Sequence, residues 1–220
     1  MRYMERELQI LKVNLKHFIL PHLLLSIVLM GLSPLAIGIE NLDAQRTARV
    51  LEMFTALSGI IILTPVCLPE QNSDIRELVE VKYLSYTRVV LARILENLFF
   101  LMIIIGFYII WLKLNNCSFP MFNYYLGTLA EAFFLGGMGF CAFVILGQIA
   151  VGYLLPLMYY IMASCGGRRL LGSLYPFSMI YGSYREKFYL AVLGLVMLVV
   201  GVGYIHFYRI LRYRKRADKA

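Results

Sequence analysis

Four charged side chains interrupt apolar stretches of this sequence and are the first candidates for chemistry. Arg93 and Glu96 are three residues apart, so on a helix they can pair with each other near a membrane surface. Glu52 lies close to one end of its apolar stretch, whereas Glu131 lies about two turns inside another. A charge inside a membrane is costly and marks a functional position by default. Glu131 is therefore a candidate for lining a path or gate, and the alternatives are a paired or an interfacial carboxylate.

Other reactive side chains show no arrangement that supports catalysis. The sequence contains no GxxxxGK[ST] phosphate loop, no HExxH zinc motif and no GxSxG nucleophile motif. The histidines at positions 17, 22 and 206 are too far apart to predict a metal site, and none is predicted. Cys117 and Cys165 could form a disulfide if both face outward, and the alternative is four free thiols. Catalysis by this chain alone is not expected.

The composition predicts a membrane protein. The 220 residues are 60% hydrophobic and only 15% charged, whereas soluble domains are about 45–50% apolar and about 25% charged. The net charge of +8 is typical of basic residues at the cytoplasmic membrane face. Nucleic-acid binding is not supported, because the basic residues form no stripe on a polar fold.

Six stretches are long and apolar enough to be membrane spans, which need roughly 20 residues. The predicted fold is therefore all-α and polytopic, and the whole chain forms one transmembrane domain. The predicted spans are residues 18–39, 50–68, 89–112, 125–146, 149–163 and 188–208. The fifth is short, and the turn before it, at Gly147 and Gln148, is tight. The glycines at positions 136, 137 and 139 on the fourth are expected to permit close helix packing.

Basic residues in the short flanks predict the orientation. They precede the first span, lie between the second and third, and form the tail 209–220, so both termini are expected in the cytoplasm. The opposite side has fewer, among them Arg46, Arg49, Arg168, Arg169 and Lys187. A cleaved signal peptide is the competing interpretation of the N-terminus, but residues 1–17 carry mixed charge rather than a short basic region.

Three segments outside the spans have their own character. Residues 1–17 have the spacing of an amphipathic interfacial helix, which serves as a lipid anchor or also contacts a partner. Residues 69–88 begin with a proline and continue with helical periodicity, which favours a cytosolic docking helix over a solvated loop. Residues 164–187 are apolar pieces broken by Gly172 and Pro176, with Phe177 among them. This pattern predicts a re-entrant or surface-lying helical hairpin packed on protein, and the alternative is a flexible outer loop.

This organisation resembles the permease subunit of a bacterial type-2 ATP-binding-cassette (ABC) exporter. The resemblance covers nearly the whole chain, and its most specific part is the P-E…K…R pattern of Pro69, Glu70, Lys82 and Arg93. The chain departs from the family near Ser73 and Asp74, where a Gly-Thr pair is usual.

The resemblance implies a multi-pass protein of the bacterial cell membrane that is not itself an enzyme. Two separate ATPase subunits would bind ATP and Mg, with no cofactor in this chain, and a second permease copy or a related permease would complete the path. A coupling helix would contact the ATPase through Asp74, Ile75, Arg76, Glu77, Leu78, Glu80, Val81 and Lys82. The segment 164–187 would close the outer end, which makes Pro176 and Phe177 path or gate candidates beside Glu131.

Two other classes of function remain open. One is a stand-alone membrane protein that protects its host, such as an immunity or resistance factor, which would work without an ATPase. The other is a polytopic lipid-modifying enzyme, which would need a polar cluster at one membrane depth. The sequence offers only Glu131 and the Arg93/Glu96 pair for such a cluster.

Overall fold

Within the part of the chain that the structure describes, six helices are long and apolar enough to cross a membrane, and they make up the bundle. The computed structural model describes residues 18–71 and 86–217. The predicted interfacial helix 1–17 and all eight predicted coupling residues between positions 74 and 82 lie outside the described residues. The helices are α1 (Leu20–Ile37), α2 (Ala44–Pro69), α3 (Tyr86–Leu114), α4 (Met121–Leu146), α5 (Ile149–Leu171) and α6 (Arg185–Ala217). The described residues contain no strand, so the all-α prediction is confirmed.

The connections divide the bundle into two ends. The loop end contains the connections 38–43, 115–120 and 172–184, and the terminal end contains residue 18, the turn at 147–148 and the last turns of α6. Loop-end connections are joined by backbone hydrogen bonds, from Asn41 N to Asn115 O (3.1 Å) and from Ser118 N to Leu42 O (3.0 Å). Because the number of spans is even, both described chain ends lie at the terminal end.

Helix α4 is the centre of the packing. It contacts α2, α3, α5 and α6, and glycines let backbones approach it closely. A Cβ atom on Gly136 would lie 2.4 Å from Gly59 O of α2, and one on Gly137 would lie 2.9 Å from Gly194 O of α6. Small residues at helix contacts are typical of membrane bundles. There the hydrophobic effect does not drive helices together, and close van der Waals packing of the backbones does so instead. The prediction that the α4 glycines serve packing is confirmed.

Helix α2 begins six residues before its predicted start at Val50. Asp43 accepts a hydrogen bond from Arg46 N (2.8 Å) and caps the new first turn. The hydropathy of the sequence does not extend the predicted span over this turn, because Arg46 and Arg49 are charged and exposed. Glu52, expected near a span end, therefore lies two turns inside α2, on a π-helical stretch from Leu51 to Thr55. π-Helical stretches are rare in proteins, and those that occur are often found at functional sites.

Helix α5 also exceeds its prediction, running to Leu171 rather than 163. Gly167 has a φ of 64°, outside the helical region, so α5 consists of two helical pieces joined by a kink at this residue. After Leu171 the chain forms two short 3₁₀ turns, Gly172–Leu174 and Met179–Tyr181, rather than a helical hairpin. We refer to residues 175–181 as the inner loop because five consecutive side chains, from Tyr175 to Met179, are buried. The chain turns between α4 and α5 at Gly147 and Gln148, as predicted.

Candidate functional site: a buried charge cluster

Three spans each bring one charged side chain to the same buried position. We call this set, Glu52 of α2, Glu131 of α4 and Lys187 of α6, the charge cluster. The Lys187 Nζ atom lies 2.7 Å from Glu52 Oε1 and 2.5 Å from Glu131 Oε2. Both glutamates are fully buried, and Lys187 is 4% exposed. The sequence predicted a path, paired or interfacial role for Glu131, and the paired alternative is confirmed.

The sequence places Lys187 just outside the sixth span, whereas the structure includes it in the first turn of α6. The helix starts at Arg185, three residues before the predicted start at Phe188, so Lys187 belongs to its first turn. That turn points into the bundle, where two carboxylates neutralise the ammonium group. One sequence signal does indicate this contact. Two predicted spans each contain a glutamate, and a buried acid needs a basic partner.

Lys187 uses its full capacity for hydrogen bonding. A lysine ammonium has three donors, and three acceptors surround this one: Glu52 Oε1, Glu131 Oε2 and the carbonyl oxygen of Pro176. Pro176 belongs to the inner loop, so the same ammonium group holds α2, α4 and the inner loop to α6. The charge cluster is therefore a structural junction at the loop end.

Glu52 fixes the inner loop from the other side. Its carboxylate accepts hydrogen bonds from the backbone N–H groups of Met179 (2.8 Å) and Ile180 (3.3 Å). These are the first residues of a 3₁₀ turn, whose N–H groups have no partner within the turn. The π-helical stretch of α2 presents Glu52 to this turn. A carboxylate from one span thus caps a loop that begins more than 100 residues later.

Glu131 has one oxygen atom without a partner. Its Oε2 atom accepts from Lys187, whereas no hydrogen bond reaches the buried Oε1 atom. With two carboxylates and one ammonium group, the cluster carries one excess negative charge when all three groups are ionised. A buried excess charge is costly, so Glu131 is the member of the cluster that is least well satisfied.

Two tyrosines of α5 form hydrogen bonds to the backbone beside the charge cluster. Tyr160 donates from its hydroxyl to Met53 O (3.0 Å), beside Glu52, and Tyr159 donates to Leu174 O just before the inner loop. The ring of Tyr160 also packs edge-on against Phe177, with 5.2 Å between ring centroids. A second ion pair, between Arg168 and Glu186, joins the end of α5 to the start of α6. Helix α5 therefore encloses the inner loop from outside.

The three path candidates are close together in the fold. Glu131 and Pro176 both accept from Lys187, and Phe177 follows Pro176 with only 2% of its surface exposed. In the single chain all three are buried, so their role in a path or gate stays a prediction. The described residues contain no group of three metal-ligating side chains. Cys117 and Cys165 are not joined by a disulfide, so this predicted alternative does not occur in the structure.

The inner loop should loosen in alkali, because burial raises the pKa of Tyr175 to about 12, with a further rise from Tyr181. The unfolded chain has a tyrosine pKa of about 10. A raised folded-state pKa gives stability that is complete below about pH 10 and is lost as pH rises towards about 12. We expect Tyr175→Phe to reduce this loss in unfolding curves between about pH 8 and pH 12. Tyr189→Phe, at an exposed site, is the control, and identical curves for Tyr175→Phe and wild type would contradict the assignment.

Comparisons of the chain with protein-family models, with curated proteins and with solved structures gave no match. The functional assignment therefore rests on the sequence and the fold.

Proposed function

We propose that this chain is the membrane-spanning permease subunit of a bacterial ABC exporter of type 2. One observation carries the proposal. Gln71 and Tyr86, which lie on either side of the predicted coupling residues 74–82, are at the same end of the bundle as both described chain ends. A motor subunit that docks at the terminal end could therefore contact the coupling segment and the chain termini together.

The distribution of charge is consistent with this arrangement. The basic stretch that begins at Arg209 lies in the last turns of α6, at the terminal end, and basic residues also precede α1. An excess of lysine and arginine marks the cytoplasmic side of a membrane protein. In the proposal the terminal end faces the cytoplasm of a bacterial cell, and the loop end faces outward.

The sequence contains no phosphate loop, so in the proposal the motor lies on another chain. Two ATPase subunits would bind ATP and Mg, and a second permease copy or a related permease would complete the path. ATP-driven movement of the ATPases would act on residues 74–82. The inner loop, held by the charge cluster, would close the path at the opposite end.

Affinity purification of the tagged full-length chain from its native membrane in mild detergent tests the proposal. We expect an ATPase with Walker motifs to co-purify. Arg76→Glu and Glu77→Arg should each lower its yield at least about tenfold, because like charges at a contact cost several kcal/mol. Arg169→Glu is the matched control, since Arg169 is exposed on α5 near the loop end.

Three results would contradict the proposal. One is a functional chain that co-purifies with no ATPase, which would favour the stand-alone resistance protein. Another is an ATPase yield that is unchanged by both coupling-segment reversals. The last is an equal loss with Arg169→Glu, which would indicate damage to the bundle rather than to a docking surface.

A further inference from the structure

A groove runs along the side of the bundle between α3, α4 and α6. Its volume is about 580 Å³, within the range of roughly 300–1,000 Å³ that is usual for small-molecule sites. Leu98 and Met102 of α3 form one wall, and Phe188 and Ala191 of α6 form the other. The floor is the face of α4 from position 123 to position 133.

The polar groups of the groove are confined to one end. Asn123 lies in the first turn of α4, and Tyr184 immediately precedes α6, so both are at the loop end. Lys187 also lines this end, but its ammonium group already has three acceptors in the charge cluster. It therefore offers the groove its methylene stem rather than a free charge. The remaining lining is apolar, so an ion or a sugar would find few partners there.

The length of the groove corresponds to one leaflet of a bilayer. Ten residues of helix separate Asn123 from Phe133, which is about 15 Å at 1.5 Å per residue. The hydrocarbon core of a bilayer is about 30 Å thick. A transmembrane helix of a partner protein would run the full thickness, whereas a lipid chain occupies half of it. The groove therefore fits a lipid chain better than a partner helix.

We infer that the groove binds one acyl chain of a bilayer lipid from the leaflet at the loop end. The apolar walls contact the chain, and Asn123 and Tyr184 hydrogen-bond the polar atoms where the chain joins its glycerol and headgroup. This inference does not depend on the proposed exporter function, because it concerns the lipid contact of this chain alone. It makes the bound lipid a neighbour of the charge cluster, since the stem of Lys187 separates the two.

Photolabelling of the purified full-length protein in nanodiscs tests the site. The probe is a phosphatidylglycerol with a diazirine in the middle of one acyl chain, and labelled peptides are identified by mass spectrometry. We expect the strongest labelling in peptides that contain positions 123–133 and 187–191. Ala191→Phe should lower this labelling about tenfold, equivalent to roughly 1.4 kcal/mol, because the added ring fills the groove.

Two further variants make the result specific. Val199→Phe places the same ring on an exposed position of α6 and should leave the labelling unchanged. Ala130→Phe fills the groove from α4 and replaces Ala191→Phe if that variant does not fold. Even labelling of all exposed helix faces would overturn the site, as would equal effects of Ala191→Phe and Val199→Phe. Crosslinks mainly between two copies of the chain at these positions would also overturn it.

Discussion

Replacement of Lys187 by methionine is expected to destabilise the bundle more than any other single change in the charge cluster. Methionine has a similar length but no charge, so Glu52 and Glu131 would face each other without a cation. Loss of one partner of a buried ion pair typically costs about 3–5 kcal/mol, because the remaining charge stays buried. The inner loop would also lose its bond from Lys187 to Pro176. We expect a clearly lower unfolding temperature in mild detergent.

Variants of the two glutamates rank the members of the cluster. Glu131→Gln should be the mildest, since it leaves the neutral Glu52–Lys187 pair and removes the excess carboxylate. Glu52→Gln should be worse, because one amide oxygen cannot accept from both Met179 N and Ile180 N as well as from Lys187. Equal unfolding temperatures for Lys187→Met and the wild type, or a larger loss with Glu131→Gln than with Lys187→Met, would contradict this account.

Gly59→Ala is expected to have the second large effect. A Cβ atom at this position would lie 1.9 Å from Ala132 O and 2.4 Å from Ala132 C, both backbone atoms of α4. Backbone cannot move aside as the end of a side chain can, so α2 and α4 would have to separate. Overpacking of a core typically costs about 1–3 kcal/mol and occasionally more. Displacement of α2 would also pull Glu52 from Lys187, so we place the cost at the upper end.

The matched control for this variant is Gly31→Ala in α1. A Cβ atom on Gly31 meets no atom within 4 Å, and alanine favours a helix by about 1 kcal/mol over glycine. We therefore expect Gly31→Ala to leave the unfolding temperature unchanged or to raise it. If Gly59→Ala and Gly31→Ala have the same unfolding temperature, the close contact between α2 and α4 is not required for stability.

The sequence predicted the spans because hydropathy is a local property. It predicted α4 and the turn at Gly147 and Gln148 well, since α4 is apolar along its whole length and Gly147 adopts the left-handed conformation that ends a helix. The predicted spans do not include the first turns of α2 or the helical piece of α5 beyond Gly167, because charged residues lie in both stretches. Local hydropathy cannot distinguish a charged helical turn from a charged loop.

The charge cluster could be predicted only in part. Glu131 stands out in the sequence as an isolated acid in an apolar helix, but its partner Lys187 looks like an ordinary flanking residue. Their pairing depends on how α4 and α6 rotate against each other, which the close glycine contacts determine. Pairing of Arg93 with Glu96 stays a prediction, and so does the role of residues 74–82.

The order of residues in the charge cluster has a consequence for the insertion of the protein into the membrane. Glu52 and Glu131 enter with the second and fourth spans, but Lys187 enters only with the last span, 135 residues after Glu52. At roughly 5–20 residues per second, Glu52 waits on the order of 7 to 27 s for its cation. Until then the nascent chain carries unneutralised acids in two spans. Entry of the first turn of α6 is thus the step at which both acids gain their cation.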